Sequence, residues 1–479
     1  MTIILIVLTY FAVLLAISRL TSRRADNGTF YRANRRAPWY MVAFGMVGAS
    51  ISGVTFVSVP GMVLTSQMTY LQMCLGFIVG YVAIAFILLP IYYRLNLTSI
   101  YAYLGQRLGE RSYLTGASFF LLSKMTGAAV RFYVVCIILQ QFVFEPAGIP
   151  FIANVAVMVL LIWLYTRRGG IATLVFTDTF QTLCLFTALL LIICSVMFHL
   201  GVSVSEAADA IAASGMSRIF VFDDWLSPHH FWKEFLSGAF IAIVMTGLDQ
   251  DMMQKNLTCK TLRDAQKDMC TYGVAFVPAN MLFLILGILL TIIYGTDIKG
   301  DVLLSTYIQD HTHHAMYDAS FLANLSSLTP YLFILGIVAA SFSSADSALT
   351  SLTTSYCIDI RRRPDDERLR KRTHFVMCLC FVCFILLFRY TNSKSLIDAI
   401  YTLASYTYGP ILGLFTFGLF TRRRPKDSLA PYICIASPFL CYALDTGTQQ
   451  LWDYHFGYEL LMMNGLLTFS GLWLSSVRK

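Results

Sequence analysis

Of 479 residues, 57% are hydrophobic and only 13% are charged, and the mean hydropathy is +0.66. That is more apolar material than a soluble core of this length could bury, which excludes a soluble enzyme or binding domain and predicts an all-α polytopic membrane protein embedded in a lipid bilayer. The formal net charge of +8 does not imply nucleic-acid binding, because the basic residues form short clusters beside apolar stretches without an aromatic-basic platform.

Apolar stretches of about 17 to 25 residues predict about 13 transmembrane helices, near 2–20, 38–63, 69–93, 113–143, 149–166, 171–200, 232–254, 269–294, 329–358, 374–391, 395–420, 428–445 and 458–476. The first lacks a basic leader and a small-residue cleavage site and is followed by Arg19, Arg23 and Arg24, so it reads as a retained segment entering from outside. With alternate loops cytoplasmic from that point, those loops and the C-terminus hold 28 of the 35 Lys and Arg residues. This asymmetry predicts an N-terminus outside and a C-terminus in the cytoplasm. Arg218, Lys233, Lys299, Arg389 and Lys394 fall on the opposite side, leaving only Lys124 and Arg131 within a membrane segment; Lys255 is counted with the loop that follows the seventh stretch.

The second stretch carries Gly45, Gly48, Ala49, Ser50, Ser52 and Gly53 at mid-depth, then Pro60 and Gly61. Such a composition favours an interrupted helix with free backbone carbonyls, where secondary transporters bind ions, although small residues also allow close helix packing. In the fourth stretch, Lys124 and Arg131 are seven residues apart and share a face, and a guanidinium at that depth requires an anion or a ring of acceptors.

The ninth stretch holds Ala340, Ser343, Ser344 and Ser347 at spacing i, i+3, i+4 and i+7, with Asp346 beside them. These positions form one helix face. Hydroxyls and carboxylates in hydrocarbon are unfavourable unless satisfied, and such a face can coordinate a small hard cation.

Twelve cysteines fall in membrane segments or cytoplasmic loops, so no extracytoplasmic disulfide framework is expected. His311, His313 and His314 lack a second ligand pair, and Cys378, Cys380 and Cys383 lie within an apolar helix, so neither set is read as a metal site. The outer connections at 201–231 and 295–328 are too short and polar for an independent core.

Three motifs resemble those of the sodium:solute symporter family, and the resemblance extends to about residue 425. Gly247-Leu248-Asp249-Gln250 through Gln254, Lys255, Lys260 and Ala265 is similar to the signature closing the sixth core helix. Tyr408-Gly409-Pro410-Ile411-Leu412-Gly413 with Phe417, Gly418 and Leu419 is similar to a later signature. Ala339 to Ser344, running on to Cys357-Ile358-Asp359-Ile360, is similar to the eighth core helix.

The resemblance implies a leucine-transporter-type fold with inverted five-helix repeats and a discontinuous first core helix. On it the chain divides into an N-terminal extra helix and basic loop (1–37), a first repeat (38–200), an extracytoplasmic loop (201–231), a second repeat (232–424) and two C-terminal helices (425–479). It implies Na+ as coupling ion, held at Gly48, Ile51, Ala340, Ser343 and Ser344. A second sodium site is implied at Asp178, in Phe176-Thr177-Asp178, with Asp346 and Ser347; Asp346 departs from the family's usual hydroxyl.

The implied function is sodium-coupled import of a small organic solute by alternating access. Sugar-site positions match Ala242, Met245 and Phe276, which disfavours glucose or galactose. Arg131 resembles the arginine of the sialic-acid branch and points to a carboxylate-bearing substrate, an acidic sugar, organic acid or amino acid, with Ser50, Ser52, Thr55 and Gln72 as polar contacts. Other readings of the same residues are Asp178 or Asp346 as a structural ion pair with Lys124 or Arg131, proton coupling, an intramembrane aspartyl protease using Asp178 and Asp346, and a sensor or channel. The expected setting is a bacterial inner membrane, as a monomer or loose homo-oligomer.

Overall fold

The computed structural model describes residues 2–23, 25–225, 227–314, 321–391, 396–452, 456–457 and 459–477. α1 (Thr2–Thr21) leads to the short α2 (Asn27–Arg32), whose first turn is capped by Asp26, accepting from the Thr29 N–H at 2.7 Å. The second apolar stretch is two helices, α3 (Trp39–Ser50) and α4 (Gly53–Ser66), bent by 64°. The interruption lies at Ile51 and Ser52, both with extended backbone, among glycines and serines of low helix propensity.

α5 (Tyr70–Ala83) continues through a π-turn into α6 (Leu89–Arg94), and α7 (Ala102–Arg107) precedes the long α8 (Glu110–Leu139). α9 (Phe151–Thr166) and α10 (Ile171–Leu200) follow, and α10 stops at Gly201 with φ of 67°, the left-handed cap glycine accepts without strain. α11 (Val204–Ala213) opens on a reciprocal capping box between Ser203 and Glu206.

α12 (Phe231–Ala242) extends through a π-turn and then bends by 72° into α13 (Gln250–Asn256). This second break is absent from the expectations above, which ended an unbroken helix at residue 254. α14 (Leu262–Tyr294), α15 (Gly300–His314), α16 (Phe321–Ser355), α17 (Glu367–Thr391), α18 (Leu396–Phe420), α19 (Ala430–Trp452) and α20 (Leu460–Leu474) complete the helices. Two-residue strands β1 (Arg424–Pro425) and β2 (Ser476–Val477) pair antiparallel.

Among the described residues, 6 helices are long and apolar enough to cross a membrane, or 8 when each bent pair is one span. The expected count of about 13 is thus met only in part. Helices do occupy the remaining predicted stretches, several of them as shorter apolar elements such as Phe151–Thr166 and Leu460–Leu474. The connection at 295–328 is more than a polar loop, since α15 buries Leu303, Leu304, Tyr307 and Ile308 against the helices beneath it. The side chains of His311, His313 and His314 lie outside the described residues.

The core is centred on α16, whose most apolar window is 83% buried against 28% for α17 at the periphery. Small residues set the closest approaches, as membrane helices require. A Cβ on Gly76 would lie 2.0 Å from the Phe235 carbonyl oxygen and one on Gly238 2.3 Å from that of Met73, so α5 and α12 meet backbone to backbone.

Candidate functional site

The α3–α4 break packs against α10 and α16. A Cβ on Gly48 would fall 1.9 Å from Thr182 Oγ1, and one on Gly53 2.3 Å from Ser341 Oγ, so glycine at both positions is what lets the break reach these helices. The last helical bond of α3 runs from the Ile51 N–H to the Val47 carbonyl at 3.2 Å. Beyond it the helical donors run out. Among the described residues no donor reaches the carbonyls of Gly48 or Ile51. On α16, Ala340 and Ser343 are buried and Ser344 half-buried, as the expected serine face requires. The Ser344 hydroxyl donates to the Ser341 carbonyl at 3.0 Å.

Asp178 and Asp346 sit beside this face, 1% and 0% exposed. The Ser343 hydroxyl donates to Asp178 Oδ1 at 3.0 Å, and Asp178 Oδ2 lies 2.7 Å from Lys255 Nζ. Asp346 accepts from Tyr165 OH at 2.7 Å and from the Ser347 hydroxyl at 3.4 Å. The ion pair at Asp178 is therefore real, but its cation is Lys255, which corrects the expectation of Lys124 or Arg131. Lys255 is 2% exposed and within electrostatic reach of Asp178, Asp251 and Asp346, which also corrects its assignment to a cytoplasmic loop.

One turn along α10 from Asp178, the buried Gln181 carboxamide makes no hydrogen bond of good geometry among the described residues, although Tyr10 OH lies beside it. Unsatisfied buried polar groups of this kind mark positions for an ion or ordered water. The donor set here, hydroxyls, carboxylates and free carbonyls, suits a hard cation such as sodium.

The second break is built differently. The carbonyls of Gly247 and Leu248 accept from Tyr92 OH at 3.0 Å and Tyr101 OH at 2.9 Å. Asp249 caps α13, accepting from the N–H groups of Asp251 and Met252 at 2.8 and 3.3 Å, and also from Tyr408 OH at 2.5 Å. Lys124 Nζ completes the cluster, 3.2 Å from Asp249 and 2.7 Å from Asp251.

Between the breaks lies a cavity with about 1370 Å³ of empty space, its open mouth included. Its walls are largely apolar, with Phe77, Met245 and Phe276 among them, and its polar lining includes Ser50, Ser52, Thr55, Lys124, Arg131 and Ser344. No carboxylate pairs with Arg131 among the described residues; Tyr408 is within its electrostatic reach. Ser50 bonds Tyr272 OH at 2.6 Å, and Tyr81 OH donates to Tyr272 OH at 2.9 Å, giving a row of hydroxyls on one wall. Tyr81 and Tyr272 were not singled out from sequence, where tyrosines in apolar helices read as packing.

Gln72 is not brought to the cavity. Its amide nitrogen donates to the His229 carbonyl at 2.9 Å and to Glu234 Oε2 at 2.8 Å, and its oxygen accepts from the Val221 N–H at 3.0 Å, so it braces the connection before α12.

The sequence pattern described as "Sodium:solute symporter family" matches residues 30–427. The chain is similar to the sodium/sialic acid symporter NanT of Aliivibrio fischeri, 26% identical over 451 residues that cover 88% of this chain and 83% of that one. It is also similar to the sodium/sialic acid symporter SiaT of Proteus mirabilis, 24% identical over 461 residues, 89% and 86% of the two chains. Its fold matches that of a Na+-coupled sialic acid symporter solved in a substrate-bound, outward-open state, with a TM-score of 0.81 at 19% identity over 100% of this chain and 99% of that one.

Proposed function

The chain belongs to the sodium:solute symporter family, and from that premise we propose that it imports a small carboxylate-bearing solute, with Arg131 receiving the carboxylate. It is an integral membrane protein and a sodium-coupled symporter, not an enzyme. The observation that carries the substrate class is Arg131, a guanidinium lining the cavity with no carboxylate partner of its own among the described residues. A cation at that depth is costly unless an anion joins it, and a guanidinium meets a carboxylate with two parallel hydrogen bonds. The apolar walls at Ala242, Met245 and Phe276 favour an organic acid or amino acid with a hydrophobic body over a polyol.

Sodium binds, in this reading, to the carbonyls of Gly48, Ile51 and Ala340 and the hydroxyls of Ser343 and Ser344, joining the break to α16. A second sodium is held by Asp178, Asp346 and Ser347. Ordering the break fixes Ser50, Ser52 and Thr55 on the cavity wall, so ion and solute raise each other's affinity by linkage. Each sodium moving down a potential of about 100 mV contributes roughly 2.3 kcal/mol, and the negative charge of the solute cancels one such contribution. The second ion therefore decides whether uptake is electrically driven.

The fold divides into repeats at 38–200 and 232–424, with α3–α4 and α12–α13 as the broken helices that open each one. The basic loops face the cytoplasm of a bacterial inner membrane. A protease dyad of Asp178 and Asp346 has no support, because Lys255 and Ser343 engage one carboxylate and Tyr165 the other.

The test is uptake into proteoliposomes of a panel of labelled carboxylates, amino acids and sugars, with and without an inward sodium gradient. Sodium-dependent uptake of one carboxylate, abolished for its neutral amide, is the expected result. Equal uptake of acid and amide rules out the role given to Arg131.

A further inference from the structure

Six ionisable groups run from the substrate cavity to the second cation site, each of two lysines standing beside a pair of aspartates. Lys124 on α8 faces Asp249 and Asp251; one turn along α13, Lys255 faces Asp178 on α10, with Asp346 on α16 beyond. Two features make this row unbalanced. Asp251, only 4% exposed, uses Oδ2 for Lys124 and leaves Oδ1 without a hydrogen-bond partner. Lys255, a buried ammonium with three donors, has close contact with one carboxylate and no hydrogen bond of good geometry.

These two half-satisfied groups are four residues apart on one helix, acidic residue first, the spacing and order in which a carboxylate and an ammonium pair best. Buried charges left partly unpaired are held at a cost, so a nearby rearrangement that pairs both is favourable once something else neutralises Asp178.

We propose that Lys255 is a tethered cation that sodium displaces: an ion seated between Asp178 and Asp346 drives the Lys255 ammonium onto Asp251, whose hold on Lys124 then loosens at the cavity wall. Lys124 thereby becomes available to a bound anion beside Arg131, and occupancy of the second cation site is reported to the substrate cavity through an exchange of ion-pair partners on α13. By reciprocity, an anion that draws Lys124 away from Asp251 opens a place for Lys255 and raises sodium affinity by the same factor. This rests on the sodium-site reading above and adds to it the residues that carry the coupling.

The test is sodium binding alone, measured with 22Na+ on the full chain in detergent, choline replacing sodium to hold ionic strength. Lys255→Gln removes the competing cation and is expected to tighten sodium binding about tenfold. Asp251→Asn removes the place to which Lys255 retreats and is expected to weaken it by a similar factor. Lys124→Gln, although it changes a residue at the cavity, is expected to tighten binding several-fold by freeing Asp251. In the double variant Lys124→Gln/Lys255→Gln the effects do not add, because the second step has nothing left to act on. Lys255→Arg keeps the charge and stays near wild type, and thermal unfolding of each variant verifies the fold.

Saturable sodium binding in wild type, weakened by Ser343→Ala but untouched or weakened by Lys255→Gln, overturns the exchange while leaving the sodium site standing. Additive effects of Lys124→Gln and Lys255→Gln overturn it as well. Failure of the wild type to bind sodium removes both.

Discussion

The two broken helices bend by similar angles, 64° and 72°, yet they dispose of their exposed backbone in opposite ways. At α12–α13 the chain satisfies itself: Tyr92 and Tyr101 take the carbonyls of Gly247 and Leu248, and a carboxylate caps the following helix. At α3–α4 the cap is a neutral serine, 3.5 Å from the Thr55 N–H it accepts, and the carbonyls of Gly48 and Ile51 are left open. A break closed by the protein's own groups is a joint. A break left open toward hydroxyls and carboxylates offers its oxygens to an ion, which is the role proposed for it.

Asp249→Ala gives the sharpest contrast. It uncaps α13, takes the acceptor from Tyr408 and removes one of the two carboxylates that face Lys124, which keeps Asp251, and breaking a buried charged cluster costs about 3 to 5 kcal/mol, so the unfolding temperature should fall with or without sodium. Rescue of its stability by sodium would mean that the second break is also an ion site.

Arg131→Gln comes next. Loss of a charge-assisted bond of roughly 1.5 to 3 kcal/mol should reduce carboxylate uptake by about 10- to 100-fold while leaving sodium binding intact.

Gly48→Ala places a methyl group against Thr182 Oγ1, and overpacking of this kind costs about 1 to 3 kcal/mol. Sodium stabilisation of the variant should weaken, and pairing it with Thr182→Ala should restore part of it, read by thermal unfolding across a sodium titration.

The smallest effect is expected from Ser343→Ala, which removes one bond from Asp178 and, at the proposed site, one oxygen from the ion. Sodium binding should weaken about tenfold, roughly 1.4 kcal/mol, with little loss of folded protein. Unchanged sodium dependence would remove α16 from the site.

The first break was legible because its signal is local: glycines and serines in mid-stretch lower helix propensity whatever surrounds them. The face of Ala340, Ser343 and Ser344 was legible for the same reason, since helical spacing depends on nothing outside the segment. The second break was not. Gly247 to Asp251 stands at the end of an apolar run, where charges ordinarily mark the exit to water, and only tertiary packing shows that Asp249, Asp251 and Lys255 turn back into the protein. The partners of Lys124 are not legible for the same reason: Asp249 and Asp251 read as residues at the exit to water, which leaves Asp178 and Asp346 as the carboxylates within membrane stretches. Gln72 was misplaced by a similar route: its polarity in an apolar helix is explained by the Glu234 and His229 groups it braces, which lie about 160 residues away in sequence.

The contact between α5 and α12 at Gly76 and Gly238 has a mechanical meaning. Where two main chains touch with no side chain between them, neither helix can slide along the other without a peptide carbonyl climbing over its neighbour, so the pair behaves as one beam. A beam can be tilted but not sheared. Displacement of α12 in a transport cycle must carry α5 with it and be absorbed at its far end, at the 72° bend before α13, which places the pivot at Leu248 and the Asp249 that Lys124 faces.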